Sequence, residues 1–204
     1  MPPSTPTRPH GDPNPPTPST LLRALKNPNV QELAWFEFVK SYAALIRGFS
    51  LRIGVDPNDV DDVAQDVLVN VYRHIGEFNH LSGKCSFRTW LLNSVKWRVL
   101  DRQRRTKELP LHATFEQETA EFVWTSEWQS NLLKLAIQDL RKTLPAMQFQ
   151  IFELIELKLV PKREVAERFQ ISIPQIYLIN HRIRKRLKHL CALYENQLNR
   201  CDRL

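Results

Sequence analysis

The chain has 204 residues, 42% hydrophobic and 25% charged, with a net charge of +7 and only 5 glycines. That balance reads as soluble and globular, and no apolar run reaches the ~18–20 residues that a bilayer-spanning helix needs. Cys85, Cys191 and Cys201 are odd in number and widely spaced, which excludes zinc-finger spacing and predicts reduced thiols. With no apolar signal core at the N-terminus, the expected location is the cytoplasm.

Residues 1–27 form the first segment, and eight of the 14 prolines fall within residues 1–20. Proline fixes φ and removes backbone donors, so this stretch is expected to be a disordered tail. A helical pattern begins near Asn29, with Leu33, Phe36, Val39, Ala43, Leu45 and Ile46 as its expected inward stripe, widened by Trp35 and Tyr42. Gly48 and Gly54 weaken and end it. Asp56-Pro57 then reads as a helix start. Val60, Val63, Ala64, Val67, Leu68, Val71, Tyr72 and Ile75 follow at helical spacing over four turns. Ser86 can cap the next helix, whose expected inner face is Phe87, Trp90, Leu91, Ser94, Val95 and Val99.

Residues 108–130 carry five Glu and no Lys or Arg, with poor periodicity, and read as an acidic linker. Residues 131–192 read as a second helical unit and 193–204 as a tail. Within that unit Pro161 opens a short helix, Gln170-Ile171 makes a turn, and Ser172 caps a longer helix whose inner stripe is Ile176, Ile179, Ile183 and Leu187. This is the grammar of a helix-turn-helix, in which the second helix enters a major groove. From Ser172 to Leu190 there are five Lys or Arg and no carboxylate.

Charge divides the amino-terminal unit. Asp56–Glu77 holds six carboxylates and one Arg, whereas Lys96–Lys107 holds six Lys or Arg and one Asp. Opposite charge on neighbouring helices suggests two different partners, because only the basic helix suits phosphate. Phe78, Phe87, Trp90 and Trp97 lie around its start, and aromatic faces beside cations can hold unstacked bases. Phe87 and Trp90 equally fit a core stripe, so both readings stand.

These residues resemble a bacterial RNA polymerase sigma factor of the extracytoplasmic-function (ECF) type, over residues 28–190. The run D-V-D-D-V-A-Q-D-V-L-V-N-V-Y-R-H-I, then F-N, S-F-R-T-W-L and L-D-R-Q-R-R, resembles sigma region 2. The runs L-P-A-M-Q-F-Q-I-F-E-L, E-V-A-E-R-F-Q-I-S and R-I-R-K-R-L resemble region 4. The resemblance implies an all-α fold, a region 2 helical bundle (28–107) and a region 4 helix-turn-helix (131–192) joined by a flexible linker. It implies no catalytic site, no metal and no cofactor.

It further implies that Asp62, Gln65, Asp66, Leu68 and Tyr72 dock on the β′ clamp helices of core RNA polymerase, with the β flap as a further contact. Asn79, Lys84 and Ser86 would receive a flipped base of the −10 element. Phe87, Arg88, Trp90, Asn93, Lys96, Trp97, Arg98 and Arg102 would separate strands and hold the backbone there. Arg163, Ser172, Gln175, Tyr177, Leu178, His181, Arg182, Arg184 and Lys185 would engage the −35 element. An anti-sigma factor is a further partner common in the family. The family often has Gly where Leu159 and Gln170 stand, so both turns must use a non-glycine residue. It often has Lys, Ser and Arg where Tyr177, Leu178 and Ile179 stand, so contact early in the last helix should be less basic. The rival readings are a stand-alone helix-turn-helix regulator, which has no use for the acidic helix, and a protein-binding mimic, which has no use for the basic stretches.

Overall fold

The computed structural model describes residues 18–78, 85–106 and 117–199, and the described residues form helices and short connections without strands. The helices are α1 (Pro18–Ala24), α2 (Gln31–Arg52), α3 (Val60–His74), α4 (Phe87–Thr106), α5 (Gln117–Thr143), α6 (Ala146–Phe152), α7 (Lys162–Phe169) and α8 (Ile173–Asn199). A π turn, Glu153–Leu157, continues α6. No helix among the described residues is long and apolar enough to cross a membrane. Cys85 and Cys191 are free thiols.

α2 is the central helix of the larger core. Its buried residues are Ala34, Phe38, Tyr42, Leu45, Ile46, Phe49 and Ser50, an i, i+4, i+7 stripe facing α3, α4 and α5. The expected stripe was rotated: Leu33 and Phe36 are exposed, while Tyr42 is fully buried. Leu33 and Phe36 share one side of the helix at i, i+3, but at the helix start that side faces solvent. α3 keeps its expected face, with Val60, Val63, Ala64, Val67 and Val71 buried. Its helix starts later than Asp56-Pro57, which instead forms a turn in which Asn58 N donates to Asp56 Oδ1 at 2.8 Å. α4 begins as expected, since Ser86 Oγ accepts from Thr89 N at 3.2 Å.

The largest departures lie at the segment boundaries. Residues 18–27, expected within the disordered tail, include α1, whose Leu21 and Leu22, with Leu25 just after it, are buried in the main core. Lys26 Nζ donates to the Phe78 carbonyl and so ties the end of α1 to the end of α3. Residues 117–130, expected within the linker, are the first half of α5. Trp124 and Trp128 are buried against α2 and α4, with Trp128 centred 6.3 Å from Tyr42 and 6.4 Å from Phe87. Ala120, Trp124, Trp128, Leu132, Ala136 and Leu140 recur every four residues, a signal that the acidic composition obscured. Residues 193–199, expected as tail, complete α8, and Tyr194 and Leu198 enter the same core. The stretch 107–116 and residues 1–17 and 200–204 lie outside the described residues.

Two smaller cores hold the carboxy-terminal unit. Ile151, Ile155, Val165, Ala166 and Ile176 join α6, the π turn, α7 and α8. Leu140, Phe149, Phe152 and Ile183 join α5, α6 and α8. At 27 residues α8 is about 40 Å long, enough to serve both ends of the molecule. Leu159 (φ 55°) and Gln170 (φ 53°) are left-handed, as the missing glycines required.

Two stability measurements follow. Trp128→Ala should lower unfolding free energy by about 3–5 kcal/mol in a denaturant titration, whereas a tethered linker would leave it unchanged. Gln170→Gly should raise the melting temperature modestly, because relieving a left-handed non-glycine residue is worth up to about 1 kcal/mol after backbone entropy is counted.

Candidate partner and nucleic-acid interfaces

α3 and α4 lie side by side with opposite charge facing across the contact. Arg98 Nε sits 3.0 Å from Asp66 Oδ2. Arg102 pairs with Asp59 and lies 3.7 Å from Asp62. Arg47 of α2 pairs with Asp61. These pairs are largely solvated, so each contributes no more than about 1 kcal/mol. Their effect is positional: they set the register of the two helices and partly neutralise the acidic face. Asp62 and Gln65 remain exposed, Leu68 is half-buried against the core, and Tyr72 meets Trp35 edge-on at 5.0 Å.

A groove runs between these helices, lined by Val69, Asn70 and Arg73 on one side and Ser94, Trp97 and Arg98 on the other. Trp97 is 65% exposed within it. Asn93 is exposed and Lys96 half-buried on the same helix. Phe87, by contrast, is fully buried, with Phe38, Tyr42, Phe78 and Trp90 centred within 6.1 Å. Of the two readings open for Phe87, its burial fits the core one, because a ring enclosed on all sides cannot stack on a base. Trp90 is half-buried, 5.0 Å from Phe78. Arg88 is also engaged: it donates to Thr125 Oγ1 at 2.7 Å and lies 5.9 Å over the Trp128 ring. Burial lowers its pKa, and the charge of Glu195 opposes that shift. Asn79 and Lys84 lie outside the described residues.

At the other end, α7 packs across α8 through Val165 and Ala166 against Ile176. Gln170 makes the left-handed turn, and Ile171 N donates to the Ala166 carbonyl at 3.1 Å. Ser172 and Gln175 form a reciprocal cap. Gln175 N donates to Ser172 Oγ at 3.4 Å, and Gln175 Oε1 accepts from Ser172 N at 2.9 Å. Both residues thus serve the helix start, and the carbonyl end of Gln175 is not available to a base. Tyr177, Leu178, His181, Arg182 and Lys185 are exposed along one side of α8. Arg184 is turned away, held by both Glu156 carboxylate oxygens at 2.6 and 2.7 Å. Arg163 is exposed and pairs with Glu167 at 3.3 Å. Lys162, which the sequence did not single out, places its ammonium 4.5 Å over the Tyr177 ring. That pairing joins two helices across a turn and leaves no linear signature.

Residues 38–108 match the family model described as Sigma-70 region 2. This segment is a Sigma-70 region 2, and the match supports a sigma-70 family sigma factor. No curated protein matches it. Sigma factors act in promoter recognition and transcription initiation and are regulatory rather than catalytic proteins. The match covers α3 and α4 entirely and α2 from Phe38 onward, so the paired acidic and basic helices and Trp97 all fall in region 2.

Within region 2 the structure separates core aromatics from surface ones. Phe87→Ala should destabilise the fold by about 3–5 kcal/mol, and Trp97→Ala should shift it by no more than about 0.5 kcal/mol, as read by thermal unfolding.

Proposed function

We propose that this sigma factor is of the ECF type, that it binds core RNA polymerase through the exposed face of α3, and that it contacts promoter DNA at two places. The observation that carries this reading is the region 2 match falling on helices that present an acidic face and an exposed tryptophan side by side. Asp62 and Gln65, with Asp66, Leu68 and Tyr72 beside them, form the polymerase contact, and the β′ clamp helices are its partner. Trp97, Asn93 and Lys96 form the −10 contact, with the cations Arg98 and Arg102 at its edge and Trp90 below it. A base stacked on an exposed indole is worth about 1–3 kcal/mol, comparable with the cost of unstacking it from the duplex. Ser86 sits at the start of α4, the place assigned to a flipped base.

The α7–α8 helix-turn-helix is the region 4 reader of the −35 element, with the β flap as its polymerase contact. Its exposed cations suit phosphate, and the solvent-facing side of α8 is the side a major groove would meet. The protein acts in the cytoplasm, where the polymerase is, and an anti-sigma factor would compete for these same surfaces.

The test is reconstitution. The full chain mixed with core polymerase should yield a stable complex and promoter-dependent transcripts; failure of both would end this reading. In the same assay, the Asp62→Ala, Gln65→Ala double variant should weaken complex formation about tenfold or more while circular dichroism stays helical, since both side chains are exposed and lie outside the core. A contact of this kind is worth roughly 1–2 kcal/mol when two polar groups at an interface are truncated.

A further inference from the structure

The start of α8 is unusual for a surface that would face DNA. Tyr177 is 57% exposed and Leu178 49% exposed, and Ile173, one turn earlier, is exposed as well. These residues lie at i, i+4 and i+5, so they share one side of the helix. Three polar groups near this patch are engaged within the protein, while His181 stays exposed one turn beyond Tyr177. Gln175 Oε1 is held by the cap, Asn180 donates to Glu156 at 2.6 Å, and Arg184 is bound by the same carboxylate. Further along, the side becomes cationic through Arg182 and Lys185, which make no ion pair among the described residues. No carboxylate occurs from Ser172 to Leu190.

We propose that Tyr177 and Leu178 read thymine methyl groups in the major groove, so that the duplex element bound by this helix-turn-helix is rich in thymine. The inference rests on the −35 reading of α7 and α8 and adds its specificity. Charge selects the partner: an apolar patch that runs directly into unpaired cations fits a groove walled by phosphates. Chemistry selects the base, because the thymine C5 methyl is the one apolar group that base edges present in that groove. Lys162 fixes the tyrosine by covering one ring face, which leaves the ring edge and the opposite face for contact. Leu178 offers a branched apolar end with no polar group to satisfy.

The experiment uses the full chain assembled with core polymerase. Duplexes are first selected from a pool randomised across the upstream element. Each selected thymine is then replaced by deoxyuridine, which removes only the methyl group and cannot disturb the protein. The expected result is thymine enrichment and a loss of about fourfold in affinity per contacted methyl, the equilibrium weight of one buried carbon. Tyr177→Ala and Leu178→Ala should each erase part of the thymine-over-uracil preference, whereas Arg182→Ala should weaken both templates equally. Indifference of the wild-type complex to uracil, or a preference that survives in both apolar variants, overturns the proposal. A complex that forms but never protects an upstream element overturns the −35 reading itself, and points to a protein as the occupant of this face.

Discussion

The aromatic cluster around Phe87 is the constraint on which the rest of the structure depends. Phe38 and Tyr42 from α2, Phe78 after α3, Phe87 and Trp90 from α4, and Trp128 from α5 lie with neighbouring ring centres 4.7–6.4 Å apart. Each such ring removes ~150–250 Å² from water and adds edge or face interactions to that burial. The cluster also encloses polar atoms. The Tyr42 hydroxyl and the Trp124 and Trp128 indole nitrogens are buried without a hydrogen-bond partner among the described residues. Each unpartnered group costs about 1–3 kcal/mol, and aromatic burial offsets it. Burial also pushes the Tyr42 phenol well above its ordinary pKa, so it stays neutral.

Because α2, α4 and α5 converge there, the position of every surface feature follows from it. α3 rests on α2 by its valine face and on α4 by ion pairs, which leaves Asp62, Gln65 and Tyr72 outward. Gly48 marks how closely α5 approaches α2: a side-chain carbon there would come 2.7 Å from a Glu127 carboxylate oxygen. That closeness lets Arg52 pair with Glu127 at 3.0 Å and lets Arg88 reach Thr125. Arg88 is thus bound by α5 in this arrangement.

α8 divides its length between two tasks. Its first turns carry the exposed side chains beyond the left-handed turn at Gln170, and its last turns anchor Tyr194 and Leu198 in the aromatic core. There the Tyr194 hydroxyl donates to Asp139 of α5. Burial raises the pKa of Asp139, and that hydrogen bond lowers it in part. The anchoring end holds the helix while its first turns project from small cores of their own.

Much of the chain's behaviour was legible in its sequence. The valine spacing of α3, the Ser172 cap and the non-glycine turns at Leu159 and Gln170 are local features, governed by helical period, capping and backbone sterics. Region 2 too was legible, because runs such as D-V-D-D-V-A-Q-D-V-L are read residue by residue. Tertiary structure alone decided the rest. Charge contrast between α3 and α4 looked like a sign of separate partners, yet Arg98 and Arg102 reach across to Asp66 and Asp59. Phe87 and Trp97 are both aromatics on α4, and only the approach of α2 and α5 makes one core and the other surface. The acidic segment before Ser130 looked like a linker because composition reports average polarity, whereas burial depends on which residues share one side of a helix. Trp124 and Trp128 share such a side, and it became an inner one only when α2 and α4 supplied the opposite wall.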